Sequence, residues 1–221
     1  MILIAGASGG IGKYLYDTYK RYYPKEVFGT CNKNNENKEL YPINIENYDD
    51  VQSWKEHIAK TDVPTRIFLI NCTGIKYDCF LHKSIPQEWE HVIKVNLIGT
   101  YNLLRCFLPI MRTEQYGRII NFSSVVAQKG VMGTSAYAAS KSALWGLAKA
   151  VAIENAEYNI TINNINLGYA NIGMGKGMDK IIDTIPMKRM CQETEILETI
   201  MYLHNNSYIT GTSIDLNGGL V

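Results

Sequence analysis

Met1-Ile2-Leu3-Ile4-Ala5-Gly6-Ala7-Ser8-Gly9-Gly10-Ile11-Gly12 opens the chain, and this stretch decides the fold. The first five residues are an apolar run of strand length. Four glycines then fall within seven positions, and a helical pattern continues to about Tyr23. A nucleotide pyrophosphate needs close backbone approach at such a turn, where the helix N-terminus offers free N–H groups and a positive dipole end. Glycines remove the β-carbons that would block that approach. Gly-rich turns also simply reverse a chain, but this one begins the first strand–helix unit, which is the context a dinucleotide fingerprint requires. The spacing fits both Gly-x-x-x-Gly-x-Gly and Gly-x-x-Gly-x-x-Gly.

Outward from the turn, short apolar runs alternate with longer amphipathic ones. Strands are expected at Val27–Thr30, Leu40–Ile43, Arg66–Asn71, Arg118–Phe122, Ile160–Ile165 and Ser213–Leu216. Val51, Trp54 and Ile58 recur at helical spacing. Gln87–Met111 reads as one long helix bent near its end by Pro109, Ala136–Glu157 as a strongly periodic helix, and Thr194–Leu203 as a last one. Strands alternating with crossover helices predict an α/β doubly wound parallel sheet, a three-layer α/β/α Rossmann fold of about seven strands. Residues 1–221 show no domain boundary and are expected to form a single dinucleotide-binding domain.

The 221 residues carry a net charge of +1, which points to neither nucleic acid nor a strongly charged partner. No apolar run approaches membrane-spanning length, and the N-terminus reads as folded sequence rather than a signal peptide. The five cysteines are odd in number and none sits in Cys-x-x-Cys spacing, so the expected compartment is the reducing cytoplasm. The four histidines form no His-Glu-x-x-His signature, and no metal site is expected.

Tyr137-Ala138-Ala139-Ser140-Lys141 places a tyrosine and a lysine on one helix face. A phenol with a reference pKa of about 10 is a poor acid–base catalyst at neutral pH, and a neighbouring ammonium lowers that pKa. The pattern alone is weak, because Tyr16 and Lys20 share it on the first helix, where they look structural. Tyr137 differs in its company. Ser123 and Ser124 end the fifth strand at the carboxyl edge, where open α/β sheets bind ligands, and Asn96 lies in the helix before that strand.

With these residues in hand, the whole chain resembles the short-chain dehydrogenase/reductase family, in its short branch. Gly6, Gly10 and Gly12 match the glycine motif. Asn71-Cys72-Thr73-Gly74 resembles the strand-end Asn-Asn-Ala-Gly, and Asn96 in Val95-Asn96-Leu97 matches the family asparagine. Ser124 precedes Tyr137 by thirteen residues, the family interval, and is chosen over Ser123 for that reason. Ile209-Thr210-Gly211 and Asn217-Gly218-Gly219 resemble the closing segment. Gly117-Arg118-Ile119-Ile120-Asn121 and Ser124-Val125-Val126 are closest to the 3-oxoacyl-[acyl-carrier-protein] reductases.

The resemblance implies an NAD(P)-dependent oxidoreductase that moves a hydride between nicotinamide and a carbonyl or secondary alcohol, with a 3-oxoacyl thioester as the leading substrate. It implies Tyr137 as general acid/base, Lys141 as the group that lowers its pKa and binds the nicotinamide ribose, Ser124 as the substrate-oxygen anchor, and Asn96 as support for a proton-passing water. It places Gly6, Ser8, Gly10, Ile11, Gly12, Asn32, Lys33, Asn44, Ile45, Asn71, Cys72, Gly74, Tyr137, Lys141, Gly168 and Ile172 around the cofactor.

Several positions depart from the pattern. Thr30-Cys31-Asn32-Lys33 ends the second strand without the acid that usually holds the ribose 2′-hydroxyl of NAD, which favours NADP; Lys33 is otherwise an ordinary solvated lysine, and Gly9 stands where NADP users often carry a base. Cys72 replaces an asparagine and reads as a small buried hydrophobe. Asn44 replaces an aspartate near the adenine, Leu167-Gly168 replaces Pro-Gly, and Ile172-Gly173 replaces a threonine and aspartate, leaving backbone groups to hold the nicotinamide. Gly173-Met174-Gly175-Lys176-Gly177-Met178 begins a substrate lid near 168–190, whose methionines line an apolar pocket or merely pack.

Two other readings stand beside the thioester reductase: a sugar or polyol dehydrogenase of the same family, and a non-catalytic NAD(P)-binding sensor. Specificity would lie in Gly168–Arg189 and Lys129–Ser135. Lys176, Lys180, Lys188 and Arg189 either meet an acidic carrier protein or form a solvated surface. The resemblance also implies a dimer or tetramer.

Overall fold

Strand β1 (Ile2–Ala5) runs into helix α1 (Gly10–Tyr22), and the unit repeats along the chain: β2 (Val27–Cys31), β3 (Tyr41–Pro42), α2 (Tyr48–Ile58), β4 (Ile67–Asn71), α3 (Pro86–Ile93), α4 (Gly99–Thr113), β5 (Gly117–Ser124), α5 (Val125–Lys129), α6 (Ser135–Asn155), β6 (Ile160–Leu167), α7 (Glu193–Asn205) and β7 (Ser213–Leu216). This is a computed structural model, and it describes residues 1–32, 38–177 and 179–221. Among the described residues, seven parallel strands form one sheet in the order β3-β2-β1-β4-β5-β6-β7. Helices cover both faces, which makes the three-layer Rossmann architecture.

The central strands are buried on both sides, and their side chains alternate between two cores as the period-2 pleat requires. Leu3, Leu69, Ile119 and Ile162 face α2, α4 and α6, where Trp54 meets Phe107 edge-on at 5.3 Å. Ile4, Phe68, Ile70 and Ile165 face α1 and α7, whose Leu15, Ile196, Ile200 and Leu203 close the other layer. Asn47 caps α2 by accepting from the amides of Asp49 and Asp50, which supports the turn into that helix.

The differences from the sequence expectation have physical causes. The third strand shrinks from Leu40–Ile43 to Tyr41–Pro42 at the sheet edge, where Pro42 is tolerated, and the Ile43 amide still donates to Cys31 O at 2.9 Å. The fifth and sixth strands run two residues further than their apolar runs, to Ser124 and Leu167, since Ser123 pairs with Asn166 and Ser124 with Leu167. Backbone pairing carries them past the end of the apolar signal. The long helix is three pieces: α3, a π turn at Lys94–Ile98, and α4, which passes through Pro109 and ends at Thr113. A π turn departs from regular helical hydrogen bonding and is frequent at functional sites; this one carries Asn96.

Candidate active site

Parallel strands put their carboxyl ends on one edge, and the strand order reverses between β1 and β4. A ligand crevice belongs outside that edge at the reversal, and a cavity of about 510 Å³ lies there. The β1–α1 turn forms one wall. Gly6 has φ +77°, a conformation that favours glycine. Its amide donates to Thr30 Oγ1 at 3.1 Å, and the Ala7 amide donates to Thr30 O at 2.8 Å, so β2 holds the turn in place.

Helix α1 opens at Gly9 with no side-chain cap and no acid in its first turn. Its positive end is therefore left for an anion, and the cradle fits the pyrophosphate of a dinucleotide. A β-carbon on Gly12 would stand 2.1 Å from Gly6 O. Gly12→Ala is therefore expected to cost about 2–3 kcal/mol of stability and to lower the melting temperature by roughly 5–10 °C. Nicotinamide dinucleotide binding, followed by fluorescence titration, should weaken with it.

The opposite wall comes from β5 and α6. Ser124 is the last residue of β5 and caps α5, accepting from the Val126 amide at 3.2 Å. Tyr137 lies in the first turn of α6 and Lys141 one turn later, on the face toward β5. Lys141 Nζ donates to Phe122 O at 2.8 Å and to Thr73 O at 3.4 Å, and stands 5.9 Å from the Tyr137 ring centroid. Gly74 makes room for this: a β-carbon there would sit 3.1 Å from Lys141 Nζ and 3.4 Å from Asn96 Oδ1. Asn96 is fully buried in the π turn. It accepts from the Ile75 amide at 2.8 Å and donates to Ile75 O and Ser140 Oγ, both at 2.9 Å. One amide therefore joins the loop after β4 to the helix that carries Tyr137.

The electrostatics differ from the sequence expectation. Burial pushes the Tyr137 phenol up, and hydrogen bonding with Ser124 pulls it back only in part. Burial also pushes the Lys141 ammonium down, to about 8. Desolvation outweighs pairing, because the lysine is held by carbonyl dipoles rather than by a carboxylate. At neutral pH the pair is thus a protonated phenol beside a desolvated ammonium.

Of the residues marked from sequence, Gly10, Ile11, Gly12, Cys72, Gly74, Ser124, Tyr137, Lys141, Gly168 and Ile172 come together around the cavity. Gly6 and Ser8 shape the turn beneath it. Asn32, Asn44 and Ile45 follow β2 and β3 at the same edge but beyond the cavity wall. Asn44 Oδ1 accepts from the Glu46 amide at 3.1 Å, and Ile45 packs against Gly99. The Asn71 amide turns into the sheet, donating to Thr100 Oγ1 at 2.8 Å. Cys72 is held as a neutral thiol, pushed by burial to about 12. Lys33 and Met178 lie outside the described residues.

Sequence reading passed over Lys76 and Asp78, which line the cavity with Val125 and Val126 of the serine motif and with Val131, Met132, Thr134, Tyr169 and Met174 from the two segments expected to set specificity. Lys76 and Asp78 are charged side chains on the loop after β4, and no local pattern marks them. Equally unexpected, Gly173 packs directly on the glycine turn, where a Gly10 β-carbon would come within 2.3 Å of Gly173 Cα.

A model of the short chain dehydrogenase family matches residues 1–181. The chain belongs to the short-chain dehydrogenase family. It is therefore an oxidoreductase, and members of this family bind NAD(P). Among individual relatives, an acetoacetyl-CoA reductase of Allochromatium vinosum is 36% identical over 188 residues, which cover 82% of this chain and 76% of that protein. A 3-oxoacyl-[acyl-carrier-protein] reductase of Buchnera aphidicola is 33% identical over 236 residues, covering 98% and 95%. Nodulation protein G of a Rhizobium strain is 32% identical over 236 residues, covering 99% and 95%. Among the described residues, no helix of this short-chain dehydrogenase is long and apolar enough to cross a membrane.

Proposed function

We propose that this chain reduces a 3-oxoacyl thioester to the 3-hydroxyacyl thioester with NADPH or NADH. The observation that carries the reading is the meeting of Ser124, Tyr137 and Lys141 at one end of a cavity walled by the glycine turn. The nicotinamide supplies the hydride. Ser124 Oγ donates to the carbonyl oxygen and holds it beside the Tyr137 hydroxyl. Tyr137, protonated at neutral pH, gives its proton to the developing alkoxide. Lys141 places positive charge near the new phenolate and restores the proton, with Asn96 supporting a water behind it. The protein contributes placement and electrostatics.

The apolar lining of Val125, Val126, Val131, Met132 and Met174 suits an acyl chain better than a polyhydroxyl sugar. The described tip of β2, Thr30-Cys31-Asn32, carries no acid, which supports NADP over NAD. Exposed Ile98 and Tyr101 beside and on α4 support an oligomer, and five free cysteines suit a reducing cytoplasm.

The test is nicotinamide oxidation with acetoacetyl-CoA and a panel of keto sugars, offering NADPH and NADH separately. Turnover of the thioester, fastest with NADPH, is the expected result. Turnover of keto sugars alone would move the reading to a sugar dehydrogenase, and tight cofactor binding with no turnover would move it to a sensor.

A further inference from the structure

Three consecutive residues of β5 grip the catalytic turn of α6. Phe122 O accepts from Lys141 Nζ at 2.8 Å, and Ser123 Oγ donates to Lys141 O at 2.9 Å. Ser124 lines the cavity with Tyr137, and its hydroxyl lowers the Tyr137 phenol against the effect of burial. The middle contact is itself held from outside. Trp145 lies one helical turn beyond Lys141, and its indole Nε1 donates to Ser123 Oγ and to Asn166 Oδ1, both at 3.0 Å. Asn166 on β6 donates through Nδ2 to Asp215 Oδ1 at 2.7 Å, and Asp215 on β7 accepts from Gln128 Nε2 at the same distance. Gln128 belongs to α5, the helix that Ser124 caps. The chain Gln128–Asp215–Asn166–Trp145–Ser123 therefore starts on the element after the serine and ends on the backbone of the lysine.

We propose that Trp145, Asn166 and Asp215 are positioning residues that fix the catalytic helix against the serine strand and so set the Ser124–Tyr137 contact. The proposal rests on the reductase reading for its effect on turnover, but its geometry does not. The serine hydroxyl has one proton. Because Ser123 Oγ accepts the indole N–H, that proton is aimed at Lys141 O. The same carbonyl is the helical acceptor for the Trp145 backbone amide. Side chain and backbone of one tryptophan thus bracket the lysine, while Asn166 and Asp215 anchor the indole to two further strands. The inner links, from Ser123 to Asn166, are buried or half-buried, and such hydrogen-bond chains hold a single geometry because each missing partner leaves another polar group unpaired. Reacting groups displaced by about an ångström lose roughly tenfold or more in rate.

Trp145→Phe keeps an aromatic side chain but removes the N–H together with part of the indole, so its melting temperature is read beside its rate to separate lost packing from lost hydrogen bonds. The expected result is a roughly tenfold fall in kcat, larger than the change in KM for the nicotinamide cofactor, because the glycine turn is untouched. A second readout needs no turnover. The ionisation of Tyr137, followed by ultraviolet difference absorbance against Tyr137→Phe in each background, should move to higher pH as the Ser124 contact loosens. Asp215→Ala, on the exposed edge strand, should act in the same direction, and combining it with Trp145→Phe should add little. A lowered melting temperature with kcat and the Tyr137 titration both unmoved would reduce the chain to a structural brace and overturn the proposal. If the wild type turns over no carbonyl, the reductase reading fails by itself, and the Tyr137 titration still decides the positioning claim.

Discussion

Tyr137→Phe is expected to lower turnover by about a thousandfold while the melting temperature and the dissociation constant for the cofactor stay near wild type. The substitution removes one oxygen. The Tyr137 ring stands 5.9 Å from Lys141 Nζ and lines the cavity beside Ser124, so ring packing survives. What disappears is the acid that protonates the alkoxide. The loss falls on both directions, because the acid of carbonyl reduction is the base of alcohol oxidation, and the raised pKa of the phenol sets the pH dependence: at pH 7 Tyr137 is a proton donor, and reduction should slow as pH rises through its pKa. Steady-state rates in both directions, with thermal melts of both proteins, check the claim. Equal activity in wild type and variant would remove Tyr137 from the mechanism.

The second large effect couples function to stability. Lys141→Met is expected to cost a hundredfold or more of turnover, on the order of a general acid–base contribution, and yet to stabilise the fold at pH 7. Lys141 is almost fully buried, with a folded-state pKa of about 8 against an ordinary 10.5. Below pH 8 it is protonated in both states, and the folded protein carries the full desolvation penalty. Between about pH 8 and 10.5 the folded state binds fewer protons than the unfolded one, so stability rises with pH through that window. Above pH 10 the raised phenol of Tyr137 acts in the opposite sense. The 2.5-unit displacement (10.5 − 8) corresponds to about 3 kcal/mol at most. Hydrogen bonds lost from Phe122 O and Thr73 O offset part of it, about 1 kcal/mol each. A net gain of about 1–2 kcal/mol remains, read as a melting temperature a few degrees higher. Denaturant melts at pH 7 and 9.5 should show the wild type gaining on the variant as pH rises. A destabilised Lys141→Met at pH 7 would show that the carbonyl contacts outweigh the burial of charge.

Much of this was legible in the chain itself. The strand-turn-helix at Met1–Gly12 is local, so its glycines and the open helix end could be read directly. Tyr137 and Lys141 are four apart on a helix, and a helix converts that spacing into a shared face. Ser124 was reachable because it follows an apolar run at the sheet's carboxyl edge and keeps a family interval from Tyr137. Other features had no local signal. Asn96 was marked as a residue, but the π turn that buries it between Ile75 and Ser140 depends on contacts from both sides. Cys72 and Asn71 adjoin in sequence, yet one lines the cavity and the other faces the sheet interior.

The sequence by itself determined the parallel α/β sheet, the cofactor turn and the tyrosine–lysine pair, because each is written in periodicities of two or 3.6 residues or in glycines at a forced turn. Only the tertiary structure decided how far β5 and β6 extend, which side chains of the specificity loops wall the cavity, that Gly173 rests on Gly10, and that Trp145 is tied to Asp215 through Asn166. It also decided the sign of the Tyr137 and Lys141 shifts. Those outcomes depend on desolvation and on partners tens of residues away, and neither leaves a mark on the local pattern of the chain.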